Sequence, residues 1–147
     1  MNKYGDEVLK LSNQICFPLY AGGKEIIRRY QPYLDKYDLT YTQYIVLMVL
    51  WEKDGISVKE IGSRLYLDSG TLTPLINKLV NKGYLKKDKT PHDERELIIS
   101  LTKRGLQLKE EIKEVPPLIA SKVKLTQEEA RTLYTLLYKL LDGFKDE

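Results

Sequence analysis

Apolar positions along this chain follow two different periods, and the places where the period changes mark the elements. From Tyr41 to Trp51 (YTQYIVLMVLW) the chain is almost continuously apolar, which predicts a core helix. Thr40 and Gln43 announce its start: they have the spacing of a capping box, in which each side chain satisfies the other residue's orphan amide, and Leu39 and Tyr44 are placed as a hydrophobic staple. The same spacing recurs at Ser57 and Glu60, opening a short helix with Ile61 and Leu65, and at Thr126 and Glu129. The helix opened at Thr126 carries Leu133, Leu136, Leu137, Leu140, Leu141 and Phe144, more large apolar groups than a solitary surface helix leaves in water. Thr71 to Lys82 (TLTPLINKLVNK) repeats Leu72, Leu75, Ile76 and Leu79 at helical intervals. Gly83 suits the left-handed position beyond its end, and Pro74 is expected near its start, because deeper in a helix the ring removes a hydrogen bond and clashes.

Beyond Gly83 the period drops to two. Tyr84 to Lys89 and Glu96 to Leu101 read as strands, the second with Leu97, Ile99 and Leu101 on one face, joined by the polar turn TPHDE into a β-hairpin. Thr102 then caps a further helix (KRGLQLKEEIKE) that stops before Pro116 and Pro117. The pattern describes a mainly α fold with one small hairpin, and 147 residues suit a single domain.

Composition narrows the class. Hydrophobic residues make up 42% and charged residues 31%, a globular balance. No apolar run approaches the roughly 18 residues of a membrane span, and MNKYGDEVLKLSNQ lacks the layout of a signal peptide, so no membrane partner is expected and the cytoplasm is the expected compartment. One cysteine and one histidine cannot build a disulfide framework or a zinc site, and no cofactor is expected. The net charge of +3 is unevenly spread: ten Lys or Arg face six acids between Ile56 and Arg104, a local +4, whereas the remainder holds fourteen against fifteen. Such asymmetry fits a surface that approaches a polyanion.

Order supplies the chemistry. A short helix, a tight turn around Leu67 to Gly70, a second helix and a basic hairpin form a helix-turn-helix with a wing, so Ile56 to Thr102 is expected to read double-stranded DNA, the second helix leading into the major groove with its N-terminal residues. Ser69, Thr71, Thr73, Asn77 and Lys78 are its expected exposed positions, with Pro74 among them; Ser69 and Thr71 could instead serve as helix caps. In the hairpin, Arg95 follows Asp93 and Glu94, so that an acid can hold the guanidinium extended toward a narrow minor groove, while Lys86, Lys87 and Lys89 line the strand. His92 reads as a solvated turn residue. Cys16 by itself reads either as a small buried hydrophobe or as a reactive thiol. Pro18 places a helix start near it, where the helix dipole favours thiolate.

Four segments carry a family resemblance: Gln14-Ile15-Cys16-Phe17 with Leu19-Tyr20, Asp38 to Tyr44 (DLTYTQY), Leu67 to Pro74 (LDSGTLTP), and Asp93-Glu94-Arg95 with Ile99 to Thr102. Together they resemble the MarR family of winged-helix regulators, and within it the one-cysteine organic hydroperoxide sensors of the OhrR type. The resemblance implies a homodimer on a pseudo-palindromic operator, with residues 1–37 and 103–147 as dimerisation helices flanking a winged helix-turn-helix over 38–102. It further implies that Cys16 is the peroxide-sensing thiol, supported by Tyr30, Tyr41 and Tyr20, with Tyr30 and Tyr41 reaching it across the dimer interface. With no second cysteine, oxidised Cys16 would be trapped by a small thiol or a backbone nitrogen. Gly22-Gly23 depart from the small polar residues expected there and would loosen the first helix by about 1 kcal/mol each. Two other readings remain open at this point: control by a small aromatic ligand at the dimer interface, and a thiol peroxidase, which would have no use for a basic wing.

Overall fold

In a computed structural model, described here over residues 3–93 and 95–145, the chain divides into two compact units, Met1–Val115 and Pro116–Glu147. The first begins with 3-10 turns at Asp6–Leu9 and Leu11–Asn13 and continues into α1 (Cys16–Leu34), α2 (Tyr41–Glu52), β1 (Ile56–Ser57), α3 (Val58–Leu65), α4 (Ser69–Asn81), β2 (Leu85–Lys89), β3 (Leu97–Leu101) and α5 (Lys103–Glu111). α1 starts at Cys16, as Pro18 predicts, and runs unbroken through Gly22 and Gly23.

α2 is the centre of this unit. It is apolar around most of its circumference because α1, α3, α4, α5 and β3 all pack on it, burying Tyr44, Val46, Leu47, Val49 and Leu50. Its capping box is complete: the Gln43 amide donates to Thr40 Oγ1 at 3.3 Å and the Thr40 amide to Gln43 Oε1 at 3.2 Å. The Ser57 box is only half made. Ser57 accepts from the Glu60 amide at 3.1 Å, but the Glu60 carboxylate takes Lys53 Nζ at 2.8 Å, and Ser57 itself lies in β1, paired with Ile98. That two-residue strand, absent from the sequence-based expectation, joins β3 to give a three-stranded antiparallel sheet in the order β1-β3-β2. The hairpin register runs from Leu85 opposite Leu101 to Lys89 opposite Leu97, turning Ile99 and Leu101 inward.

α4 begins two residues earlier than its apolar repeat suggests, because Asp68 rather than Ser69 or Thr71 is its cap. Pro74 therefore lies in the second turn, not at the start. The bond it forgoes leaves the carbonyl of Gly70, which is solvent-exposed and can be hydrated. The far end closes as the hairpin requires: Gly83 adopts φ 83°, its amide donates to the Val80 carbonyl, and the Tyr84 amide reaches back to that of Leu79. Thr102 caps α5 through the Gly105 amide at 3.1 Å. A 3-10 turn (Ile112–Glu114) precedes α6 (Val115–Ala120), whose first turn holds Pro116 and Pro117, where helical amides have no acceptor to lose. In the second unit, Thr126 and Glu129 form a complete capping box on α7 (Gln127–Asp142), which leaves Leu133, Leu136, Leu140 and Tyr134 exposed.

Candidate functional site

The leading end of α4 is built by Asp68. Its carboxylate accepts the Thr71 amide at 2.7 Å, and bonds from the Thr71 backbone, then its hydroxyl, then the Gly70 backbone hold that carboxyl below the usual carboxylate range. Ser69 and Thr71 are thus relieved of capping and stand exposed at the tip with Thr73 and Pro74 close behind, while Lys78 is exposed in the last turn of the helix. The Thr73 hydroxyl donates to the Ser69 carbonyl at 2.7 Å, leaving its oxygen lone pairs outward as an acceptor. Asn77 departs from the expectation: it is half-buried, and its Oδ1 accepts Lys87 Nζ at 2.7 Å. It faces β2, where the long lysine stem can reach it, and so ties the helix to the wing.

Asp93 also plays a different part from the one expected. Its Oδ1 accepts the backbone amide of Arg95 at 2.9 Å, its own amide donates to Thr90 Oγ1 at 3.0 Å, and its carbonyl accepts the Thr90 hydroxyl at 2.7 Å. A short carboxylate reaches an amide two residues on more readily than a guanidinium at the end of a long side chain, so Asp93 shapes the turn. Arg95 and His92 are exposed, as are Lys86, Lys87 and Lys89; Glu94 lies outside the described residues. Between the starts of α3 and α4 and the base of the wing lies a cleft of about 670 Å³, with Lys59, Ser69, Thr73 and Arg95 among its lining. Lys59 escaped the sequence reading because one lysine in the first turn of a short helix carries no pattern.

Cys16, exposed, is the first residue of α1, whose opening turn has neither a side-chain cap nor an acidic residue to oppose the helix dipole. Tyr20, one turn further on, is exposed, with Lys24 Nζ 5.7 Å from its ring centre. At the other end of the helix, Tyr30 packs on Tyr41 with ring centres 5.0 Å apart; Tyr44 follows at 5.6 and 6.1 Å from the two, and Trp51 lies 6.4 Å from Tyr44. Burial raises the phenol pKa of Tyr30, with the neighbouring Tyr41 adding to it, raises that of Tyr41, and lifts Tyr44 to about 12. The fold thus assembles Tyr30 with Tyr41 but not with Cys16 of the same chain: fourteen residues of continuous helix place them about 21 Å apart along the axis.

A family model described as "Transcriptional regulator SarA/Rot" matches residues 28–112. The organic hydroperoxide resistance transcriptional regulator of Bacillus subtilis is 42% identical over 134 residues, 91% of each chain. The chain belongs to the SarA/Rot family of MarR-type transcriptional regulators. The HTH-type regulator SarZ of Staphylococcus haemolyticus is 42% identical over 133 residues, 90% of each chain. Among solved structures, that of reduced AbfR bound to DNA superposes with a TM-score of 0.78 at 35% identity, over 94% of this chain and 96% of the other.

These relatives are DNA-binding transcriptional regulators rather than enzymes, and the winged helix-turn-helix found here is the fold expected of a MarR-type regulator. By position α3 and α4 are the two helices of this helix-turn-helix and the β2–β3 hairpin is its wing. Among the described residues, no helix is long and apolar enough to cross a membrane and no cluster of His, Cys, Asp and Glu is placed to hold a metal ion.

Proposed function

We propose that this chain is a cytoplasmic, homodimeric repressor of peroxide-resistance genes that leaves its operator when an organic hydroperoxide oxidises Cys16. The observation that carries the reading is the placement of the single cysteine: exposed at an uncapped helix start, about 21 Å along α1 from the packed Tyr30–Tyr41 pair. If the tyrosines support the thiolate, they come from a partner protomer. A second copy also accounts for the apolar side chains in water, Ile15, Phe17, Leu19, Ile26 and Ile27 on the first helix and its approach, and Leu133, Leu136 and Leu140 on α7. Residues 1–37 and 103–147 accordingly serve as dimerisation arms around the head at 38–102. The similarity to a hydroperoxide resistance regulator at 42% identity supplies the oxidant class.

In the head, Ser69, Thr71 and Thr73 address base edges at the tip of α4, with Pro74 beside them and Asn77 further along the same helix. Lys78, Lys86, Lys87, Lys89 and the newly placed Lys59 neutralise phosphates, and Arg95 enters the minor groove from a turn shaped by Asp93. In the sensor, the Cys16 thiolate attacks the terminal peroxide oxygen, the O–O bond breaks, the departing alkoxide takes a proton from water and leaves as the alcohol, and Cys16 becomes a sulfenic acid. A low-molecular-weight thiol then displaces water to form a mixed disulfide. Each change adds bulk where Tyr30, Tyr41 and the flanking Tyr20 meet the sulfur. Protein treated with one equivalent of cumene hydroperoxide and a small thiol should carry the adduct on Cys16 by mass spectrometry and lose its operator in step. An adduct without release, or release without modification of Cys16, overturns the reading.

A further inference from the structure

The C-terminal end of α4 is fastened to the turn that leads into α2, and the fastener is Lys82. Lys82 closes α4, and its ammonium donates to the Asp38 carbonyl and, at 3.0 Å, to Gln43 Oε1, with the Asp38 carboxylate 3.6 Å away. Gln43 is the buried polar side chain of this core, and the same Oε1 accepts the Thr40 amide at 3.2 Å. One oxygen therefore both closes the start of α2 and anchors the end of α4. A second tie joins the same two turns, since the Tyr84 hydroxyl donates to the Tyr37 carbonyl at 3.0 Å.

Both ends of this joint are stiff. On one side stands the complete capping box of α2; on the other, the two reverse bonds that close α4 around Gly83. Tyr41 is the first residue of α2, two before Gln43 and three after Asp38, and its ring rests on Tyr30. A displacement of Tyr41 that moves the first turn of α2 consequently carries both acceptors of Lys82 with it. A charge-assisted hydrogen bond transmits such a movement better than an apolar contact, because its geometry is directional and its loss leaves an ammonium half-desolvated.

We propose that Lys82 is a positioning residue that couples the Tyr30–Tyr41 pair to the reading helix, converting a shift of the first turn of α2 into a reorientation of α4. The inference rests on the redox reading given under Proposed function, which supplies the displacement. Lys82 is not among the residues assigned to DNA, so its effect appears in the ratio of operator affinities before and after oxidation rather than in either affinity alone.

The test measures operator Kd for reduced and cumene hydroperoxide-treated protein, together with the rate of Cys16 thiol loss, in wild type, Lys82→Met and Lys82→Arg. Wild type is expected to release about 5- to 150-fold on oxidation, the usual span of an allosteric coupling. Lys82→Met keeps the aliphatic stem without its donors; its release ratio should fall at least threefold while Cys16 is oxidised at the wild-type rate, and Lys82→Arg should recover the ratio. Gln43→Leu removes the acceptor from the other side and should reproduce the loss, which keeps the proposal testable if Lys82→Met does not fold. An unchanged ratio overturns it, whether affinity is intact or is weakened equally in both states. If wild type itself keeps its operator after Cys16 is oxidised, the redox reading fails and the coupling falls with it.

Discussion

At Gly105 a methyl group would meet the Tyr84 carbonyl oxygen, and at Gly62 it would come within 2.5 Å of the Leu67 carbonyl oxygen. Both neighbours are backbone and cannot rotate away, so Gly105→Ala should cost about 1–3 kcal/mol, read as a lower urea midpoint at unchanged slope; a midpoint within error of wild type would show that α5 can back away. The tyrosine cluster makes a prediction in pH. Burial keeps these phenols neutral in the fold, with Tyr44 at about 12, whereas in the unfolded chain a tyrosine phenol releases its proton near its ordinary value of 10.0. The contribution of Tyr44 is therefore intact below pH 10 and lost as pH rises toward 12, and those of Tyr30 and Tyr41, whose pKa is raised in the same direction, are also lost above pH 10. Phenolate absorbance should show a late class among the eleven tyrosines, titrating with unfolding; a single class near 10 would contradict the packing. Single residues were unevenly legible in the sequence. Thr40 and Thr126 have one available role each and fill it, whereas Glu60 had a competing lysine and Asp68 a competing serine, and spacing cannot rank such competitors.

Among the elements, those marked by an apolar period or a cap, the short α3 included, could be read from sequence, and β1, which has neither, could not. α2, α4 and the hairpin emerged from their apolar periods, but β1 has two residues and exists only because β3 offers it an edge. Long-range pairing of that kind leaves no local pattern. The same holds for the bond between Asn77 and Lys87, which makes helix and wing one unit and removed one residue from the freely exposed set. The wing itself invites a measurement. Lys86 is exposed on β2 and has the character of a phosphate contact. Lys86→Ala should weaken cognate and unrelated DNA alike and reduce the slope of log affinity against log salt by about 1 for each phosphate contact removed. A loss confined to the cognate site would instead make Lys86 a base reader.

At the scale of the whole molecule, the separation of about 21 Å along α1 means that, under the proposed reading, the tyrosines that support Cys16 belong to a second chain. Heterodimers test this. A Cys16→Ser chain paired with a Tyr30→Phe/Tyr41→Phe chain contains one complete cross-chain site and no complete within-chain site. Its remaining thiol should react with hydroperoxide at the wild-type rate, whereas the Tyr30→Phe/Tyr41→Phe homodimer should react about tenfold or more slowly, as losing a charge-assisted hydrogen bond worth about 1.5–3 kcal/mol predicts. Equal slowness in both would mean that the tyrosines act on the thiol of their own chain, and wild-type rates in both would place them outside the sensor. The most direct test of the whole account is operator affinity in wild type and Cys16→Ser with and without cumene hydroperoxide. Wild type should lose about 5- to 150-fold on oxidation while Cys16→Ser stays bound; equal loss in both, or loss in neither, would contradict a switch at Cys16.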